Sequence, residues 1–317
     1  MSTKALKTEL HSKNAHRDRY DFPTLIIASP SIGSFVNENK YGDLSIDFSD
    51  PKAVKELNRA LLNHYYSIKI WDIPAGYLCP PIPGRVDYLH YLQDLILESN
   101  QGKEIYGKNI SVLDIGTGAN CIYPLLGSSI FGWKFTATDV DEKALEAARA
   151  NLTSNPKFAL QIELRHQSQT SKIFNDIITQ SDYFDLTLCN PPFHTSIEAA
   201  AEGSQRKIKN LSGKASKNTT LNFGGQSNEL WCQGGELGFI RKMIKESQNF
   251  KHQVFWFTSL VSKKENLKSI YQALTGVGVS NYKIIEMAQG NKQSRFVAWT
   301  FLNSNQKETW SKMRWAK

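Results

Sequence analysis

The chain has 317 residues, 40% hydrophobic and 21% charged, enough for one large α/β core with an appendage or for two small domains. It contains no run of about 18 apolar residues, which argues against a helical membrane span, and its opening Met1-Ser2-Thr3-Lys4 lacks the apolar stretch of a signal peptide. Cys79, Cys121, Cys189 and Cys232 are too widely spaced for a zinc cluster and fit buried thiols in a reducing cytoplasm, while the net charge of +8 points toward a polyanionic partner.

In chain order, the first feature is a basic N-terminus, with Lys4, Lys7, Lys13, Arg17 and Arg19 set against Glu9 and Asp18. Asp50-Pro51 opens a helix through about Tyr66, the acid as N-cap and the proline at the first helical position. The segment from Trp71 to Gly84 carries Pro74, Pro80, Pro81 and Pro83 and is expected to be irregular. Arg85 to about Ser99 then reads as a helix with Val86, Leu89, Leu92 and Ile96 on one face.

The run Ile110 to Ile115 reads as a short buried strand, followed by the turn Gly116-Thr117-Gly118-Ala119-Asn120 and a helical stretch from Cys121. Only two of the three glycines of a dinucleotide fingerprint are present. Asp114, just before the turn, suits a cationic ligand end such as an ammonium and would repel a pyrophosphate. Lys134 to Asp139 is a second strand ending in an acid, 23 residues after Gly116, close to the spacing of a ribose-binding carboxylate. An amphipathic helix is expected from Asp141 to Leu152, and a third strand from Leu160 to Leu164.

Phe184 to Cys189 forms another apolar strand, closed by Asn190-Pro191-Pro192-Phe193. The prolines stiffen the turn, so its carbonyls and the Asn190 side-chain oxygen are held in place beside a flat aromatic ring. Acceptors next to an aromatic face are what an exocyclic amine on a planar ring requires. Between Glu202 and Glu229 no acid occurs, yet Arg206, Lys207, Lys209, Lys214 and Lys217 do, in a glycine- and serine-rich setting that reads as a basic loop over 203–228. Strands at 252–260, 282–287 and 295–302 and a helix at 266–274 bring the strand total to seven. Alternating strands and helices that end in two consecutive strands predict a parallel sheet with an antiparallel hairpin at its edge.

Asp114-Ile115-Gly116-Thr117-Gly118, Asp139 and Asn190-Pro191-Pro192-Phe193 together resemble an S-adenosylmethionine-dependent methyltransferase that modifies an amine. The longer strings Asp114–Gly127, Gly132-Trp133, Gly234-Gly235-Glu236-Leu237 and Gln289-Gly290 resemble the bacterial large-subunit ribosomal RNA adenine methyltransferase F family and its eukaryotic methyltransferase-like-16 relatives. Where that family's N-terminal string reads His-Pro-Arg-Asn, this chain has His11-Ser12-Lys13-Asn14, which keeps one positive charge and loses a rigid turn. The resemblance implies a class I, Rossmann-like α/β fold at 85–317, with a mainly helical N-terminal extension at 1–84 that takes part in RNA binding. It implies S-adenosylmethionine as cofactor, bound by Arg85, Asp114, Gly116, Thr117, Gly118, Asn120, Asp139, Gln169 and Asn190. Asn190, Pro191, Pro192 and Phe193 are expected to carry the chemistry, and Lys13, Arg17, Arg19, Arg206, Lys207, Lys209, Lys214 and Lys217 to meet RNA. The expected partner is 23S ribosomal RNA or a large-subunit assembly intermediate in the cytoplasm, with no membrane and no metal. A protein glutamine methyltransferase, a DNA adenine methyltransferase and a non-catalytic RNA-binding module remain as other readings of the same residues.

Overall fold

The structure is a computed structural model that describes residues 10–196, 227–289 and 292–316. Seven strands form one sheet in the spatial order β5-β4-β3-β6-β7-β9-β8. These are β3 (Ser111–Ile115), β4 (Lys134–Asp139), β5 (Ile162–His166), β6 (Phe184–Cys189), β7 (Val254–Val261), β8 (Asn281–Gln289) and β9 (Lys292–Thr300). The β3–β4, β3–β6, β4–β5 and β6–β7 pairs are parallel, and β9 runs antiparallel to both of its neighbours. The expected terminal hairpin is present, with one difference from the simplest arrangement. The last strand, β9, inserts beside β7, and β8 takes the sheet edge.

Alternation along the strands divides the core into two layers. Val112, Leu186, Leu188 and Ala298 face one cluster, and Leu113, Ile115, Val297 and Trp299 face the other. The first layer takes up α2 (Pro51–Tyr66), α3 (Ile82–Ser99), α4 (Ile122–Phe131) and α5 (Glu142–Thr153). The second takes up α6 (Gly235–Ser247) and α7 (Leu267–Gly276). Asp50 caps α2 by accepting from the Lys52 amide at 2.8 Å, and Asp141 caps α5 through the Lys143 amide at 2.9 Å.

Helix α3 begins at Ile82, three residues ahead of the expected start, because Pro83 falls in the first turn, where a missing N–H leaves nothing unsatisfied. Gly84 therefore lies inside a helix, and the first core layer runs unbroken from Phe22 to Trp315. The N-terminal segment is fastened onto this helix. The His11 amide donates to Asp87 at 2.7 Å, Asn14 donates to the same oxygen at 2.9 Å, and the His11 ring meets Asp94 at 2.8 Å. The extension also contains α1 (Phe22–Ala28) and a small hairpin of β1 (Val36–Glu38) and β2 (Leu44–Ile46), none of which was expected. At the other end, α8 (Ser304–Trp310) leads into a last turn that closes over the foot of β6. Trp310 and Trp315 each donate to fully buried Asp185 at 2.7 Å, and the Ser111 amide joins them at 2.7 Å.

Candidate active site

The parallel register brings the carboxyl ends of β3, β4 and β6 level, with Ile115 opposite Thr138 on one side and Cys189 on the other. The chain leaves β3 toward β4 and returns on the opposite side at β6, so β3 marks the switch point where open α/β sheets form a ligand crevice. Asp114, Asp139 and Asn190 are all at this end.

The glycine turn is shaped by its own amides. Gly116 and Thr117 both donate to the Thr138 carbonyl, at 2.9 and 2.8 Å, and Gly118 donates to Asp139 Oδ2 at 2.8 Å. All three N–H groups are thereby used within the protein, unlike the free amides that cradle a pyrophosphate. Gly116 holds φ at +74°, and a Cβ there would meet no atom within 4 Å, so the turn borders open space. Asp139 accepts a second hydrogen bond from the Asp141 amide at 3.0 Å, which leaves each carboxylate oxygen a further lone pair. Burial raises the Asp139 pKa, and its backbone donors oppose the rise.

Asp114 is 1% exposed; the Thr117 hydroxyl lies close enough to favour its carboxylate, but neither oxygen has a donor in good hydrogen-bond geometry among the described residues. Burial pushes its carboxyl up to about 7, and the Asp139 carboxylate adds to the rise. The Thr117 hydroxyl and the Arg85 guanidinium pull the other way. Arg85 projects from the first turn of α3, donates to the Tyr123 hydroxyl at 2.8 Å and lies over that ring at 5.3 Å. Its Nε has no acceptor among the described residues. Two unpaired acceptor oxygens and an unpaired guanidinium donor, buried around an open glycine turn, fit a ligand carrying both an ammonium and a carboxylate.

Asn190 follows β6 directly, and its buried Oδ1 likewise has no donor among the described residues. Pro191 is buried and Phe193 half-buried, with no aromatic ring stacked on Phe193 among the described residues. The chain is then fixed in place. His194 donates to the Leu230 carbonyl at 3.0 Å and accepts from the Cys232 amide at 3.1 Å, a short parallel bridge beyond the turn.

Other expected residues fall differently. Asn120 is consumed locally, its Oδ1 accepting from Ile122 and its carbonyl from the Trp71 ring. Gln169 sits on the exposed loop after β5 with its side-chain amide on Asp176, whereas Gln167 is the buried member, its backbone N–H donating to the Asp139 carbonyl at 2.9 Å. Of the N-terminal basic residues, Lys13 is exposed, Arg17 donates to the Ser12 carbonyl, and Arg19 pairs with Asp43. Arg206, Lys207, Lys209, Lys214 and Lys217 lie outside the described residues, and of the 203–228 stretch only 227–228 fall within them, opening a single turn, Ser227–Leu230.

Sequence reasoning did not single out two residues at the site. Tyr123 orients Arg85 from within the quoted string after the glycine turn. Glu229 accepts from the Leu78 amide at 3.2 Å, with its other oxygen 3.1 Å from where a Cβ on Gly118 would stand. Its signal was present, as the first acid after the basic stretch. Among the described residues no helix is long and apolar enough to cross a membrane.

The strand order, the level strand ends and the glycine turn define a class I methyltransferase fold. The sequence model of a family described as RNA methyltransferase matches residues 4–303, and the chain belongs to that family. It is 54% identical over 309 residues to the ribosomal RNA large subunit methyltransferase F of Pseudomonas aeruginosa, covering 96% of this chain and 92% of that protein. The protein of the same name in Flavobacterium johnsoniae is 53% identical over 306 residues, covering 96% and 97%. Among solved structures, the human METTL16 catalytic domain in complex with MAT2A 3′UTR hairpin 1 superposes with a TM-score of 0.76 at 30% identity, covering 93% of this chain and 96% of that one. The N-terminal domain of human METTL16 in complex with SAH gives 0.73 at 28% identity, covering 93% and 99%.

Proposed function

We propose that this protein transfers a methyl group to the exocyclic N6 amine of an adenine in 23S ribosomal RNA, in the cytoplasm where ribosomes are assembled. The methyl donor is S-adenosylmethionine. The observation that carries the reading is the buried Asn190 oxygen, without a donor and one strand over from the partnerless Asp114 carboxylate. The large-subunit ribosomal substrate is supported by the curated relatives, which are 54% and 53% identical to this chain over the aligned residues. The chain's net charge of +8 also favours a polyanion.

When bound, the donor supplies a methyl group already activated by a sulfonium charge. Arg85, steadied by Tyr123, would hold the donor's carboxylate, Asp114 its ammonium and Asp139 its ribose hydroxyls. The adenine amine is a weak nucleophile because its lone pair is delocalised into the ring. Asn190 Oδ1 and the Pro191 carbonyl would accept its two N–H bonds, drawing the nitrogen toward tetrahedral geometry and localising the lone pair. Phe193 would stack on the extruded base. Alignment supplies the rest of the acceleration, and the proton leaves to water after transfer.

Incubating ribosomal RNA with the donor and either the wild-type protein or Asn190→Ala, then analysing nucleosides by mass spectrometry, tests this. N6-methyladenosine should form with the wild type alone. Normal methylation by the variant would remove Asn190 from the mechanism.

A further inference from the structure

The ladder between β6 and β7 stops early. It pairs Phe184 with Val254 and Leu186 with Trp256, and the next step in register would pair Leu188 with Thr258. In a parallel ladder the Thr258 N–H would then meet the Thr187 carbonyl, and its C=O the Cys189 N–H. On the other side of β6 the pairing to β3 continues through Cys189. The sheet therefore opens on one side only, one step before Asn190.

Side-chain hydroxyls fill the opening. The Thr258 amide donates to Thr187 Oγ1 at 3.1 Å, and Thr258 Oγ1 donates to the Thr187 carbonyl at 2.7 Å. Tyr88, from α3, reaches Thr258 Oγ1 at 2.6 Å. The Thr258 proton is already committed to a carbonyl, which can only accept, so Tyr88 must be the donor of that short bond. The Tyr88 oxygen is then free to accept. Tyr88, Thr187 and Thr258 are all fully buried. Water cannot substitute for a lost hydroxyl without a cavity to hold it.

We infer that Tyr88, Thr187 and Thr258 are positioning residues, whose hydroxyls replace one backbone bridge and thereby set the height at which Asn190 and Pro191 leave the sheet. The same network links the two halves of the site. The Tyr88 ring packs edge-on against Tyr123 at 5.8 Å, and Tyr123 holds Arg85. None of the three touches substrate. They fix the backbone that does, in the way that small misplacements of reacting groups cost large factors in rate.

The inference rests on Asn190 being the reacting end of β6, so its test has two independent readouts. Thr258→Val keeps the shape of the side chain and removes the hydroxyl, and Thr258→Ser keeps the hydroxyl. Thr258→Val should lower kcat for methyl transfer about tenfold or more, with S-adenosylhomocysteine affinity within about twofold of wild type, and Thr258→Ser should recover most of the rate. Amide hydrogen exchange of the peptide spanning Thr187 to Asn190 should quicken in Thr258→Val and Tyr88→Phe while β3 stays protected. Exchange unchanged in both variants overturns the inference whether or not the protein methylates RNA. Faster exchange with an unchanged kcat also overturns it, by separating the network from the chemistry. A wild type that binds S-adenosylhomocysteine but methylates no RNA refutes the proposed function, and the exchange result still decides whether the hydroxyls hold the strand end.

Discussion

Replacing Asp114 with Asn should stabilise the free protein and cripple its hold on the donor. Asp114 is 1% exposed, without a donor among the described residues, and burial raises its carboxyl to about 7 from an ordinary 3.8. A carboxyl whose folded pKa exceeds its unfolded one loses stability as pH rises from the unfolded value through the folded one. Keeping this carboxylate ionised in the fold therefore costs on the order of 4 kcal/mol above about pH 7, an upper limit that relaxation will reduce. Asp114→Asn removes the charge at nearly constant shape. At about pH 8 the variant should melt several degrees higher than wild type, at roughly 2 °C per kcal/mol for a chain of this size. The gap should narrow as pH falls from about 7 toward about 4, because the wild-type group becomes neutral in the fold. In the proposed complex the donor's ammonium offsets the same cost, so Asp114→Asn should weaken S-adenosylhomocysteine binding about tenfold or more. Wild-type affinity should itself fall as pH drops below about 7, since a proton must leave Asp114 on binding. Scanning calorimetry of the free proteins and titration calorimetry across pH measure both effects. A variant that melts lower than wild type at about pH 8 and binds S-adenosylhomocysteine equally well would refute the reasoning.

Asn190→Ala should abolish turnover while changing S-adenosylhomocysteine affinity only a few-fold, because in the proposed mechanism the side chain acts on the accepting amine, and titration calorimetry with a single-turnover assay separates the two. Tyr123→Phe leaves Arg85 without its hydroxyl partner and should raise KM for the donor about three- to tenfold with little change in kcat, read from initial rates. Trp315→Phe removes a 2.7 Å hydrogen bond to buried, ionisable Asp185 and should cost about 1–3 kcal/mol in urea unfolding, without altering donor affinity.

Much of the sheet was legible because its central strands are buried on both faces and end at turn residues. Phe184 to Cys189 and Lys134 to Asp139 have the expected limits. The glycine turn and Asn190 were legible for a related reason, since each sits where an apolar run stops and a polar turn must begin. Spatial order was less accessible. Nothing local to residues 292–300 says that β9 will insert between β7 and β8, because that choice is made by packing across the sheet. Helix α6 was missed because Gly235 and Gly238 weaken helical propensity at its start, while Ile240, Met243 and Ile244 supply the buried stripe that decides the matter. His11 and Asn14 looked like part of a charged tail, yet their partner is Asp87, more than 70 residues away. The Thr187–Thr258–Tyr88 network was unreadable for the same reason, because its members lie on three separate elements and each looks unremarkable alone.

The central claim is the transfer of a methyl group to an adenine amine of large-subunit ribosomal RNA, and the most direct test is tritium transfer. Labelled S-adenosylmethionine and the purified protein are incubated with ribosomal RNA from cells lacking this gene, and the labelled nucleoside is identified and mapped. The account predicts label in N6-methyladenosine at a single position of 23S RNA. Label in a protein fraction, in DNA or in a different nucleoside, with the adenine amines untouched, would contradict it.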